Sequence, residues 1–199
     1  MVTDDIDYVS LTNVNWNTKS YNDIVSNLQY ANGTNIYYKV DPNIKELADE
    51  NMYIFNAKAN NISLLPTDNF VIEFNAIAAY SGATTNKTFL GLSDNPNTNN
   101  TNDFLVPITV SGSSTTNTLW TILGASVTQV PGLLIEFKLI KIGNSVSIVY
   151  KTTNHNGNIF GVGTTIISTN KPLFFGAIFT NRRAINSELN INLLRIYKF

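Results

Sequence analysis

The sequence predicts an all-β protein, a two-sheet antiparallel β-sandwich. Three observations predict it. Short segments alternate apolar and polar residues along most of the chain, turn-forming residues separate them, and helical periodicity is almost absent. A chain of 199 residues with 43% hydrophobic content can bury one good core. A sandwich of this length forms one domain, here residues 1–199.

The first strand is IYYKV (36–40), and NIKELADEN (43–51) is the one segment with helical character, two turns at most. MYIFNA (52–57) follows, then NFVIEFNAIA (69–78). The latter sets Phe70, Ile72, Phe74, Ala76 and Ala78 on one side against Glu73 and Asn75 on the other, the period-two pattern of a half-buried strand. KTFLGL (87–92), FLVPITV (104–110) and TLWTIL (118–123) come next. LLIEFKLIKI (133–142) turns Ile135, Phe137 and Leu139 inward and Glu136 and Lys138 outward; SVSIVYK (145–151) turns Val146, Ile148 and Tyr150 inward. Gly143-Asn144 between them is a two-residue hairpin loop that fits strand twist. Pairing outward from it predicts Leu139 opposite Ile148, Phe137 opposite Tyr150, and Glu136 opposite Lys151. PLFFGAIF (172–179) and ELNINLLRIYKF (188–199) complete about ten strands. In the last, the apolar phase shifts from Leu189, Ile191 and Leu193 to Leu194 and Ile196, which predicts a bulge or burial on both faces. The polar stretches 79–86, 93–103, 110–117, 151–158 and 180–187 read as loops.

Composition narrows the function classes. Charged residues are only 14% of the chain, and asparagine, with 30 copies, fills the gap. A neutral surface rich in hydrogen-bonding groups suits an extracellular or virion setting and neutral polar ligands such as glycans; an A/T-rich gene would give the same composition. Net charge is −1 with basic residues scattered, so the clustered cationic footprint of nucleic-acid binding is missing. The chain has no cysteine, which excludes disulfide scaffolds, thiolate metal sites and cysteine nucleophiles. No stretch approaches about 20 apolar residues, so no membrane-inserting helix is expected. Met1 runs directly into VTDDID, without a signal-peptide pattern. Export without a signal, as for virion proteins, or origin in a longer chain would each account for that. Four N-x-[ST] sequons, at Asn32, Asn61, Asn86 and Asn99, are expected by chance in so Asn-rich a chain.

The strands FVIEFNAIA, LLIEFKLIKIGNSVSIVYK, KPLFFGAIF and NINLLRIYKF resemble the concanavalin A-like lectin/glucanase superfamily, including laminin-G-type domains. The resemblance runs from about residue 50 to the end, and more faintly from Tyr8. It implies a jelly-roll sandwich that binds glycans or cell surfaces, of the kind found in microbial adhesins and viral tail fibres. Glycosidases in that superfamily carry two glutamates on one strand as E-x-D-x-x-E. Hydrolysis needs two carboxyls roughly 5 to 9 Å apart. The five glutamates here are Glu46, Glu50, Glu73, Glu136 and Glu188; none share a strand at that spacing, and Glu136 has a partner in Lys151. Glu46 and Glu50 lie one turn apart on the helical segment. The expectation is therefore a binding protein and not an enzyme.

Glycan binding requires an aromatic platform flanked by planar polar groups. The candidates are Tyr80, Trp120, Asn154, His155, Asn156, Arg182 and Arg183. Trp120 reads first as core or inter-sheet packing, and Arg182-Arg183, the only basic doublet, as a solubilising pair ahead of a site for an acidic sugar or phosphate. His155 is the sole histidine, and with no G-x-S-x-G elbow it reads as an exposed loop residue rather than a triad base. The candidate ligands for a weak calcium site are Asp94 and Asp103, in a loop without the EF-hand pattern. The leading expectation is an adhesin or tail-fibre module that attaches to a cell-surface glycan or glycoprotein. The alternatives are a structural domain that forms homo-oligomers without its own ligand, and a polysaccharide-active enzyme.

Overall fold

The computed structural model describes residues 7–10, 15–19, 26–31, 35–40, 50–58, 64–80, 87–95, 100–114, 117–154, 157–181 and 187–199, with backbone pairing alone for the strands before residue 64. Fifteen strands are described: β1 (Asp7–Ser10), β2 (Asn15–Lys19), β3 (Ser26–Ala31), β4 (Asn35–Val40), β5 (Glu50–Lys58), β6 (Phe70–Tyr80), β7 (Lys87–Ser93), β8 (Phe104–Ser114), β9 (Asn117–Ile122), β10 (Ala125–Gln129), β11 (Leu134–Ile142), β12 (Ser145–Asn154), β13 (Gly157–Ile166), β14 (Phe174–Asn181) and β15 (Ser187–Lys198). One 3-10 turn, Thr101–Asp103, is the only helical element among the described residues. The strands form two antiparallel sheets. The first runs β13-β12-β11-β6-β15-β4-β3 with β1 also on β15, and the second runs β10-β9-β8-β7-β14-β5-β2.

The two sheets bury the rows that the alternation predicts. Phe70, Ile72, Phe74, Ala76 and Ala78 of β6 are buried, as are Ile135, Phe137 and Leu139 of β11 and Val146, Ile148 and Tyr150 of β12. From the facing sheet come Leu90, Leu92, Val106, Ile108, Val110, Phe175 and Ala177. The rings meet at the centre: Phe74 stacks on Phe137 at 4.8 Å, Phe175 tilts against Phe74 at 4.9 Å, and Trp120 against Phe137 at 5.5 Å. Each large side chain so buried contributes about 1.5–3 kcal/mol of transfer free energy. The predicted hairpin holds in register, with Leu139 on Ile148, Phe137 on Tyr150 and Glu136 on Lys151. The predicted phase shift in β15 is a bulge between Asn192 and Leu194, where the β6 partner steps from Asn75 to Phe74.

Four expectations are corrected. Glu50 and Asn51 belong to β5, not to a helix, because they pair with Asn181 and Thr180 of β14. The rest of the expected helical segment, 43–49, lies outside the described residues. β1, β2, β3, β10 and β13 add strands that the alternation does not show. The expected loops 110–117 and 151–158 are largely strand, since β8 runs to Ser114 and β12 and β13 extend to Asn154 and from Gly157. Finally, Trp120 is not a ligand platform. Its ring is 0% exposed, and its indole N–H donates to Gln129 Oε1 at 2.8 Å.

That bond belongs to a buried polar network between the sheets. Gln129 Nε2 donates to Leu134 O at 3.1 Å and to Thr152 Oγ1, and Thr152 Oγ1 donates to Leu134 O at 3.1 Å. Burying polar groups is tolerated here because each has a partner. At the opposite end of the sandwich, Lys141 occupies an inward position of β11 and is also 0% exposed. Its ammonium donates to the carbonyls of Pro66 (2.6 Å), Asp68 (2.8 Å) and Gly143 (2.7 Å).

Candidate functional site

The outer face of the first sheet carries a shallow depression of about 470 Å³ over β6, β11, β12 and β13. Register builds it from two rows that cross the strands. One row is Glu73, Lys138 and Val149; the next is Asn75, Glu136, Lys151 and Phe160. Period-two alternation turns these residues outward because their neighbours Phe74, Phe137, Ile148 and Tyr150 are held in the core.

Charge alternates along both rows. Lys138 Nζ lies 2.7 Å from Glu73 Oε1, and Lys151 Nζ lies 3.6 Å from Glu136 Oε2. Tyr197 OH donates to Glu73 Oε2 at 3.3 Å. Lys151 Nζ also sits over the Phe160 ring, 6.0 Å from its centroid. That ring is 68% exposed at the rim. The inward position next to it on β13 is a glycine, since a Cβ on Gly161 would collide with the Tyr150 ring. The result is an apolar ring beside alternating hydrogen-bond donors and acceptors.

Glu73 and Glu136 therefore line one depression although they share no strand. Paired-carboxyl hydrolysis would require one of the two to act as a general acid. The electrostatics oppose the acid role. The hydrogen bond from Lys138 is the largest influence on Glu73 and, with the Tyr197 hydroxyl and the Arg195 charge, outweighs burial and holds its carboxyl below the ordinary range. A general acid requires the reverse, a raised carboxyl.

The lowered Glu73 carboxyl has a consequence for stability. A group whose folded pKa lies below its unfolded value stabilises the protein fully above the unfolded value, here 4.5, and loses that contribution as pH falls through the folded value. Glu73→Gln is expected to cost about 1 kcal/mol or less at neutral pH, because the pair is partly solvated. The gap between wild type and E73Q should close as the pH drops below 4.5. Urea midpoints measured across an acid pH series check this; a gap that stays constant would refute it.

The remaining sequence candidates sort by position. Tyr80 ends β6 opposite Ser187, and Asn154 ends β12 opposite Gly157. With Asn181 at the end of β14, these strand termini gather at one end of the sandwich. His155, Asn156, Arg182 and Arg183 lie outside the described residues. Asp94 and Asp103 sit at the other end, beyond Ser93. Asp94 Oδ2 accepts from Thr169 Oγ1 at 2.7 Å, and Asp103 Oδ2 accepts from Asn95 Nδ2 at 3.2 Å. Among the described residues no group of three acidic or histidine side chains is arranged to hold a metal. Sequence reading missed Asn75, Lys138, Lys151 and Phe160 as lining residues of this depression. The outward parity of Glu136, Lys138 and Lys151 was the available signal; their meeting with Glu73 needs the β6–β11 register.

The architecture is a concanavalin A-like jelly-roll sandwich. No protein-family model matches the chain, and no curated protein matches it. Solved structures do. A seed lectin isoform of Lotus tetragonolobus is similar over 92% of this chain and 93% of its own, at 11% identity and a TM-score of 0.58. An alginate lyase from Corynebacterium sp. is similar over 89% and 82%, at 11% identity and 0.55. The winged bean acidic lectin, solved with methyl-α-D-galactose, is similar over 97% and 98%, at 9% identity and 0.53. At these identities the likeness is one of fold.

Proposed function

We propose that this chain is a non-catalytic carbohydrate-binding module of an adhesin or viral tail fibre. It would act outside the cell, at a cell surface or on a virion, and attach to a surface glycan or glycoprotein. The observation that carries the reading is the depression itself, an exposed Phe160 ring beside the Lys151–Glu136 and Lys138–Glu73 pairs. A ring face stacks on the C–H face of a pyranose, while paired ammonium and carboxylate groups bind its hydroxyls. The same fold holds a galactoside in the winged bean lectin, which supports the ligand class. Tyr80, Asn154, His155, Asn156, Arg182 and Arg183 are the further contact residues of this proposal.

A glycan array with and without calcium tests the reading. Wild type is expected to bind a restricted set of glycans, and Phe160→Ala to weaken that binding about tenfold, roughly 1.4 kcal/mol. Since Phe160 is exposed, the variant should keep its thermal midpoint. Silence on every glycan, or unchanged binding by F160A, would count against the site. The calcium arm tests Asp94 and Asp103. The alginate lyase in the same fold makes a catalytic reading testable as well. Chain cleavage of a polysaccharide panel, abolished by Glu73→Gln or Glu136→Gln, would replace the binding reading. A structural role in oligomerisation is favoured by a different observation, the exposed apolar residues of β13.

A further inference from the structure

Among the described strands, β13 is the outermost of its sheet. Exposed edges are normally blunted by lysine, proline or a bulge, since an open ladder invites another chain to pair. β13 has none of these. Its sequence GNIFGVGTTI holds no charge and no proline, and its pairing with β12 runs unbroken from Gly157 to Ile166. On the outer face Phe160, Val162 and Ile166 are 68%, 70% and 78% exposed. Ile142 and Val149, also exposed, continue this apolar strip onto β11 and β12.

The backbone shows which groups face outward along the edge. Ile167 N–H donates to Asn144 O at 2.9 Å, on the β12 side. Ladder bonds alternate in an antiparallel pair, so the odd-numbered residues of β13 turn toward β12. Asn158, Phe160, Val162, Thr164 and Ile166 therefore direct their N–H and C=O groups away from the sheet.

The geometry points to a second copy of this chain as the occupant of that edge, with the two β13 strands paired antiparallel about a two-fold axis. The strand is its own complement. In the register centred on Gly163, Phe160 faces the partner's Ile166 and Val162 faces the partner's Thr164, so each copy supplies the apolar neighbour that the other lacks. The absence of charge in β13 and the net charge of −1 leave no electrostatic barrier to self-pairing. A foreign strand would have to match this pattern by chance. The joined sheets form one continuous surface. Resting on the proposed function, this pairing sets two depressions on the same side, with the Phe160 rings offset by roughly 20 Å along the strands. Two sites so placed bind a glycan-coated surface by avidity.

Sedimentation equilibrium from about 1 μM to about 1 mM tests the pairing, a range that covers weak edge contacts. Wild type should double in mass across the series. Val162→Lys should stay monomeric with an unchanged circular dichroism spectrum and thermal midpoint, because Val162 is exposed and outside the depression. Residue-resolved hydrogen exchange should slow at Phe160, Val162, Thr164 and Ile166 as the dimer forms. A wild type that stays monomeric, a V162K that still dimerises, or a dimer in which those amides exchange freely would each overturn the proposal. V162K should also keep its affinity for a soluble monosaccharide and lose about a hundredfold in binding to a glycan-coated surface. Failure of both forms to bind sugar would sink the glycan reading and leave the dimer standing; equal surface binding by both forms would sink the bivalent arrangement.

Discussion

Trp120→Ala is expected to lower the unfolding free energy by about 4–8 kcal/mol, enough to leave much of the chain unfolded at 37 °C if its stability is that of an ordinary domain. Two losses combine. The ring is fully buried and packs on Phe137 at 5.5 Å, so its removal opens a cavity at the junction of the sheets. Large-aromatic deletions of that kind cost about 3–5 kcal/mol. The second loss is polar. Gln129 Oε1 is left without its indole donor, in a site where Gln129 is 1% exposed. An orphaned buried acceptor costs about 1–3 kcal/mol. Trp120→Phe separates the two, because it keeps most of the ring and removes only the N–H; a cost of about 1–3 kcal/mol is expected. Urea unfolding followed by circular dichroism measures both. A W120A midpoint within experimental error of wild type would show that the network does not join the sheets.

The fold was legible where a strand has one wet face and one dry face. FVIEFNAIA and LLIEFKLIKI declare their parity, and Gly143-Asn144 fixes their neighbour's register, so pairs such as Phe137–Tyr150 follow from local rules. The β15 bulge was legible for the same reason, since a bulge is a slip in that parity. β13 was not. Its inward positions include Gly161 and Gly163, small because Tyr150 and Leu123 fill the space there, and Phe160, Val162 and Ile166 point to solvent while only Ile159 packs on the core. The pattern of burial is thus inverted, and alternation finds no dry face. Glu50 and Asn51 were misread because short segments with helix-forming residues yield to tertiary pairing, here with β14. The candidate site was half legible. Each outward charge could be read from its own strand, but the meeting of Glu73 with Lys138 depends on pairing strands far apart in sequence.

Lys141 is the sharpest case of a residue whose parity was visible and whose role was not. Alternation in LLIEFKLIKI puts it inward with Phe137 and Leu139, where a lysine is out of place unless its charge is met. The structure meets it with three carbonyls from two segments, the 66–68 turn and Gly143 of the hairpin loop, and with the Phe70 ring 5.7 Å away. Burial draws the ammonium below its ordinary pKa, and the charge of Asp68 opposes that shift. Asp68 in turn has burial acting to raise it, outweighed by the Lys198 ammonium at 2.6 Å and the Leu65 N–H at 2.7 Å. The cluster therefore pins the segment leading into β6 to the β11–β12 hairpin. Lys141→Ala is expected to cost about 3–5 kcal/mol, the sum of lost stem packing and three carbonyls left without their donor. Lys141→Met keeps the stem and should recover about half of that, which isolates the ammonium's share. Amide exchange gives the local readout: Gly143 N–H, bonded to Asn69 Oδ1 at 2.9 Å, should exchange faster in both variants if the clamp orders the turn. Equal stability of K141M and wild type would show that the three carbonyls are served as well by water, and that the buried cation is dispensable to the fold.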